Sequence, residues 1–363
     1  MNQKQSTYIP QGPKAMLPHG GLPEVISLYL LNLIEKTGGK TGPIGKQFIA
    51  QPALEKKYHL IKSEDPLIED HNEVAPGVVY KYHGKLNKDG NVVYYGRVLW
   101  TITRFCASYC RFCTRGREVG IPAYVKAHTK AAIAQKPYLD DNEIAKVIAF
   151  LKDHKEVNEV ILSGGDPLTT PRPYLTKIIE ALAKLQEEGY LDIVRVGTRL
   201  PVHNPISVQK WHYELLSKIK NPYLMVHVNH PSELTAETLE VLYNFRKTSL
   251  ATICTQTVFL KGVNDSVETL YELFTVLAKN GIRPYYLFQN DPVYWAAHFT
   301  VPIIRAIKIW EKLRQRLSGV AATARFVIDV PFGYGKIPVP EGGAWEVNYS
   351  HYTDFRGKEH KLE

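Results

Sequence analysis

From Val98 onward, short β-rich apolar runs alternate with longer amphipathic ones, and this alternation constrains the fold more than any other feature of the chain. The apolar runs fall at 98–103, 159–163, 193–197, 223–229, 250–259 and 284–288. Helical patterns lie between or after them, at 142–153, 174–188, 207–219, 236–246, 267–280 and 301–318. Six β-then-α units in succession call for parallel strands with helices packed outside, because right-handed crossovers leave few other topologies. A partial six-unit α/β barrel and a doubly wound sheet both satisfy the pattern. In either one, ligands bind at the carboxyl ends of the strands.

Residues 1–22 are rich in Pro, Gly and polar residues and read as an extended arm. Pro23 then stands at a helix start, with apolar residues at helical spacing over 24–36. Mixed Pro- and Gly-containing segments continue to residue 90. The expected organisation is an N-terminal, mostly helical extension over 1–92, a barrel over 93–340 and a short C-terminal tail over 341–363. With 44% hydrophobic and 22% charged residues, the chain can bury a sizeable core, which sets disorder aside. Its most apolar stretch, 26–34, falls far short of a membrane span, and no apolar leader follows Met1. A cytoplasmic protein without a membrane partner is expected. The net charge of +9 is spread with no block of like charges. No nucleic-acid partner is expected from it, since an anionic ligand needs only a few local Lys and Arg.

Three of the four cysteines, Cys106, Cys110 and Cys113, fall in one CxxxCxxC run. Scattered disulfides do not cluster so. Three thiolates on a four-iron cube leave one iron with an open position, and this spacing gathers the sulfurs around one compact loop. A structural zinc site is the alternative, but it calls for a fourth ligand from a second CxxC or HxxxH pair, which the sequence lacks. Cys254 stands alone and reads as a buried strand residue. Other residues with chemistry follow the runs in order: Gly164-Gly165-Asp166, Arg199, Asn229-His230 and Asp291. Their loops would converge on one mouth.

The segment Cys106-Ala107-Ser108-Tyr109-Cys110-Arg111-Phe112-Cys113-Thr114-Arg115 resembles the cluster loop of the lysine 2,3-aminomutases, which are radical S-adenosylmethionine enzymes. The resemblance covers roughly 73–340. It is carried also by Ser163-Gly164-Gly165-Asp166-Pro167-Leu168, Arg199-Leu200-Pro201-Val202, Asn229-His230-Pro231, Gly262-Val263-Asn264-Asp265, Pro284-Tyr285-Tyr286, Ala297-His298-Phe299 and 329–338. It implies a partial (β/α)6 radical S-adenosylmethionine barrel with three cofactors: a 4Fe-4S cluster, S-adenosyl-L-methionine and pyridoxal 5'-phosphate.

By the same resemblance, Gly164, Gly165 and Asp166 contact the amino end of S-adenosylmethionine, the Asp accepting from an ammonium. An ordinary tight turn is the alternative reading. His230 and Gln256 touch or support that cofactor, or else satisfy core hydrogen bonds. Lys336, after a Gly-rich turn, matches the lysine that carries pyridoxal phosphate, and Arg97 matches a donor to its phosphate. Residues 84–95 read as an inserted hairpin with Asp89-Gly90 at its turn. This leaves open whether Tyr82 or Tyr94 reaches the phosphate, with Tyr94 the assigned candidate. Arg115 matches the carboxylate-binding position, and Asp291 and Asp329 the positions that grip a side-chain ammonium. A cap or solvated loop is the alternative for each Asp alone. Ser266 stands where the clostridial type has a zinc-binding cysteine, so no structural zinc is expected.

The implied reaction is an isomerisation, L-lysine to L-β-lysine. An electron from the cluster cleaves S-adenosylmethionine, the deoxyadenosyl radical removes a β-hydrogen, and the pyridoxal imine accepts the substrate radical so that nitrogen migrates. An electron donor such as flavodoxin or ferredoxin and a homo-oligomer belong to the same expectation. The alternatives are lysine modification on elongation factor P, whose short chains lack an Asp at the place of Asp329, and action on arginine, ornithine or glutamate. A basic nucleic-acid-binding protein with a structural metal would leave Lys336, Asp291 and Asp329 unexplained.

Overall fold

Strand β1, Gly96–Thr103, is buried at all but one of its positions, as a strand covered on both faces must be. It begins a run of parallel strands in chain order: β2 Val157–Gly164, β3 Ile193–Thr198, β4 Tyr223–His227, β5 Thr252–Phe259, β6 Arg283–Gln289 and β7 Arg325–Asp329. The structure is a computed structural model that describes residues 7–8, 22–56, 65–120, 138–330, 335–339, 351–353 and 358–361. Most of the expected arm 1–22, part of the segment 329–338 and most of the tail 341–363 lie outside the described residues. Antiparallel strands extend the sheet at both edges: Val78–Tyr82 and then Glu73–Ala75 beyond β1, and Lys336–Pro338 beyond β7. The sheet thus runs across residue 92.

The helices follow from their patterning. In Arg172–Glu187 the buried residues are Leu175, Ile178, Ile179, Leu182 and Leu185, one stripe at helical spacing. Helix Asp141–Asp153 starts at a capping box between Asp140 and Glu143. With Lys210–Leu216, Ala236–Ser249, Val267–Lys279 and Ile303–Arg314, these helices cover the sheet and enclose the main core.

Three expectations change. The described parallel run has seven strands, because Arg325–Asp329 follows the last helix in the same sense as its neighbour. The first helix begins at Leu28 rather than near Pro23, because the Ser27 hydroxyl accepts from the Leu30 N–H and Ile26–Ser27 pairs as a strand. The pattern at 207–219 holds a shorter helix, Lys210–Leu216, capped by Gln209 and His212. Among the described residues, no helix is long and apolar enough to cross a membrane.

Candidate active site

The cysteine loop leaves β1 and is fixed by both apolar and charged contacts. Tyr109 and Phe112, which precede Cys110 and Cys113, pack with Val119, Leu260, Val293, Trp295 and Phe299. Trp295 Nε1 also donates to the Cys113 carbonyl at 3.1 Å. Arg111 is buried too, where Nε donates to Glu55 Oε1 at 2.8 Å and Nη1 to the Leu22 carbonyl at 2.9 Å. A loop anchored by both its apolar and its charged residues has little freedom. Cys106, Cys110 and Cys113 are therefore held in place, unbridged and partly buried. Burial pushes all three thiols up, Cys113 to about 12 with Cys110 adding to the effect. At Cys110 the Arg199 guanidinium partly offsets it.

The turn after β2 lies against this loop. A Cβ on Gly165 would sit 2.2 Å from the Phe105 carbonyl oxygen, and Gly164 has φ +105°. Gly165 and Asp166 donate from their backbone N–H groups to the Thr103 and Phe105 carbonyls, both at 2.7 Å. The two glycines are required by this close approach. Asp166 departs from its expected role. Its carboxylate accepts from the Leu168, Arg199 and Leu200 N–H groups and the Thr198 hydroxyl, tying the end of β2 to the end of β3. Both oxygens are engaged inside the fold, so the side chain is not free for a ligand's ammonium.

A cavity of about 320 Å³ opens beside the loop, and Arg97, Arg115, Gln256, Asp291, Asp329 and Lys336 all line it. The register that pairs Asp329 with Lys336 across the edge of the sheet brings Lys336 Nζ to 2.6 Å from Asp329 Oδ1 and 5.0 Å from the Phe288 ring centre. Asp291 accepts from the Thr114 hydroxyl at 2.7 Å. Burial, reinforced by the charge of Asp329, pushes the Asp291 carboxyl up to about 6. Arg115 donates from Nε and Nη2 to Glu69 at 2.9 and 2.8 Å, and Lys81 reaches the same carboxylate at 2.6 Å. Burial alone would raise the Glu69 pKa, but these two cations hold it well below the usual range. Among the described residues, the edge of Arg115 formed by Nη1 meets only Ser163 Oγ, at 3.4 Å, and can still take a carboxylate.

Two expected residues stand away from the cavity. Tyr94 lies on the hairpin formed by Lys85–Leu86 and Val92–Tyr94 and is 55% exposed. The insertion carries it outward, whereas Tyr82 stays on the strand beside β1, lines the cavity and lies under the Arg97 guanidinium at 3.7 Å. His230 caps the turn Pro231–Glu233 by accepting from the Ser232 N–H. Conversely, Arg195, Glu69 and His227 escaped the sequence reading. Alternation along β3 places Arg195 on the cavity side, where it pairs with Glu159. Among the described residues, the Nε atoms of Arg97 and Arg195 are buried without a hydrogen-bond partner. Burial, then Arg199, lowers the His227 pKa well below its ordinary value, so this cavity imidazole is neutral.

A parallel α/β sheet whose first strand runs into a three-cysteine loop defines a radical S-adenosylmethionine enzyme, and residues 100–274 match the Radical SAM superfamily. L-lysine 2,3-aminomutase of Clostridium subterminale is 34% identical over 314 residues, covering 86% of this chain and 68% of that one. The L-lysine 2,3-aminomutase of Acetoanaerobium sticklandii is 32% identical over 314 residues, again 86% and 68%. Among solved structures, a radical SAM methyltransferase from Sphaerobacter thermophilus aligns with a TM-score of 0.47 at 18% identity, over 70% of this chain and 78% of that one. The chain belongs to the lysine 2,3-aminomutase family.

The superfamily implies a 4Fe-4S cluster and S-adenosylmethionine, and the donor set fits the cluster. Thiols raised by burial are stabilised as thiolates by bound cationic iron.

Proposed function

We propose that the protein interconverts L-lysine and L-β-lysine by 2,3-amino migration, with pyridoxal phosphate on Lys336. The observation that carries this reading is the meeting of Lys336, Asp291, Asp329 and the open edge of Arg115 in one cavity. Bound pyridoxal phosphate would delocalise the unpaired electron while nitrogen moves, and the cluster with S-adenosylmethionine would start the radical chemistry.

The residues fit a phosphorylated, planar guest. Arg97 and Arg195 both line the cavity and bring positive charge for a phosphate, and Tyr286 and Phe288 flank the lysine amine. Asp329 holds the Lys336 ammonium while that amine is free. Once the amine is engaged, Asp329 loses the cation that holds it, and a substrate side-chain ammonium relieves its repulsion with Asp291. This favours a basic amino acid and disfavours glutamate. Arg115, held side-on by Glu69, presents its other edge to the α-carboxylate. Leu67, Leu99, Ile161, Met225 and Val258 give the cavity apolar walls that exclude water.

The test is product analysis of anaerobically reconstituted protein with S-adenosylmethionine, pyridoxal phosphate, a one-electron reductant and, in turn, lysine, arginine, ornithine and glutamate. β-Lysine should form fastest. Truncating one member of a buried charge pair costs about 2–5 kcal/mol, so Asp329→Ala should lower kcat/KM on lysine at least about thirtyfold. Preference for glutamate, or unchanged lysine turnover in Asp329→Ala, overturns the reading.

A further inference from the structure

Arg199 follows β3, is 5% exposed and takes no part in lining the cavity. Its Nη1 donates to Cys110 Sγ at 2.8 Å. Its Nη2 donates to Gln47 Oε1 at 2.6 Å and to Glu233 Oε2 at 2.9 Å. The guanidinium centre lies 4.6 Å from the Phe48 ring centre and 5.4 Å from that of Phe112. So held, the guanidinium aims Nη1 at the sulfur.

Gln47, fully buried, is the joint of this arrangement. Its Nε2 donates to Glu233 Oε1 at 3.0 Å, its Oε1 also accepts from Asn229 Nδ2 at 2.9 Å, and its main-chain carbonyl accepts from the N–H of Arg111, the residue after Cys110, at 2.8 Å. Gln47 and Phe48 both belong to helix Pro43–Phe48, in the N-terminal extension. The apolar cluster of that extension, which includes Ile34, Ile44 and Phe48, packs against Cys110 itself. The extension is therefore part of the surroundings of one cysteine, and Arg199 is the charged donor that it positions there.

We propose that Arg199, positioned by Gln47 and Glu233, raises the reduction potential of the cluster through its hydrogen bond to the Cys110 sulfur. A donor at a ligand sulfur withdraws electron density and stabilises the added negative charge when one electron enters from an external reductant, with no bond made or broken. Glu233 balances the charge of the guanidinium within the pair, so the directed N–H···S bond is the larger part of the effect. The proposal rests on the radical S-adenosylmethionine reading, and its test separates the two.

The test is an EPR-monitored reductive titration, with dithionite, of cluster-reconstituted protein at matched iron content. Two variants accompany the unmutated protein. Arg199→Lys keeps the charge beside Glu233 but loses the fork. Arg199→Gln combined with Glu233→Gln removes both members of the pair and leaves no stranded charge. The midpoint should move to more negative potential in both, further in the double variant. Coincident titration curves for all three proteins overturn the proposal, and Arg199→Lys decides alone if the double variant does not fold. Absence of an EPR-active cluster from the unmutated protein overturns the radical S-adenosylmethionine reading instead.

Discussion

Asp291 lies in the cavity with Asp329, and its pKa is pushed up to about 6, by burial first and by Asp329 second. In the empty protein the folded state keeps a proton that the unfolded chain has lost. Ionising Asp291 therefore withdraws stability as pH rises from the ordinary carboxylate range through about 6. A cationic ligand prefers the ionised form, so its dependence has the opposite sign. Lysine affinity, measured by calorimetry, should strengthen between about pH 5 and 7 in the unmutated protein and lose most of that slope in Asp291→Asn. Equal slopes would show that Asp291 does not meet the ammonium. Lys336 is tested separately: borohydride reduction of pyridoxal-phosphate-loaded protein followed by peptide mapping should label Lys336, and labelling at Lys261 instead would refute the assignment. Asp291 was legible because it follows a strand run, and Lys336 because it lies in a recognisable Gly-rich motif. Glu69 was not, since it lies in a stretch without periodicity and its role comes from reaching Arg115 and Lys81, more distant in the chain. Arg195 left a faint signal, a charge inside an apolar strand run.

The elements read most clearly were those whose pattern is local. The hairpin at 85–94 declared itself through Asp89-Gly90, and Gly90 has φ +78°. The start of the first helix was missed because a single hydroxyl, Ser27, decides it against a Pro–Glu signal earlier in the chain. Strand β7 was missed because it is short and only two of its five residues are fully buried, so its place comes from pairing with β6. The hairpin also yields a prediction. Gly84 and Gly96 meet at its neck, where a Cβ on Gly96 would lie 2.4 Å from the Gly84 nitrogen. Val93, Tyr94 and Tyr95 above the neck are more than half exposed. Joining Gly84 to Gly96 by deleting 85–95 should therefore leave the melting temperature and pyridoxal phosphate retention nearly unchanged, since exposed loop tips tolerate such changes and the two ends already meet. Tyr82→Ala, which strips the ring from beneath Arg97, should weaken retention several-fold. The reverse pattern would return the phosphate contact to Tyr94.

Across the whole molecule, residues 22–56 form a cap over the carboxyl ends of the strands. Leu22 and Glu55 hold Arg111 after β1, the Ser27 hydroxyl donates to the His203 carbonyl after β3, Tyr29 meets Thr235 after β4, and Lys46 donates to the Gly262 carbonyl after β5. Four strand ends are thus tied to one segment, and the cysteine loop lies beneath it. The strongest of these ties is the pair of Arg111 and Glu55, each with a side chain 1% exposed. Removing one partner of such a pair strands a buried charge at a cost of about 3–5 kcal/mol, whereas replacing both with neutral groups of similar size is far cheaper. Glu55→Ala should therefore lower the melting temperature and speed the loss of iron to a chelator. Glu55→Gln combined with Arg111→Met should recover most of both, because the penalty belongs to the stranded guanidinium rather than to the missing attraction. Stability without faster iron loss in Glu55→Ala would mean that the cap does not brace the cysteine loop. A double variant as impaired as the single one would mean that the ion pair itself, and not the unpaired charge, carries the effect.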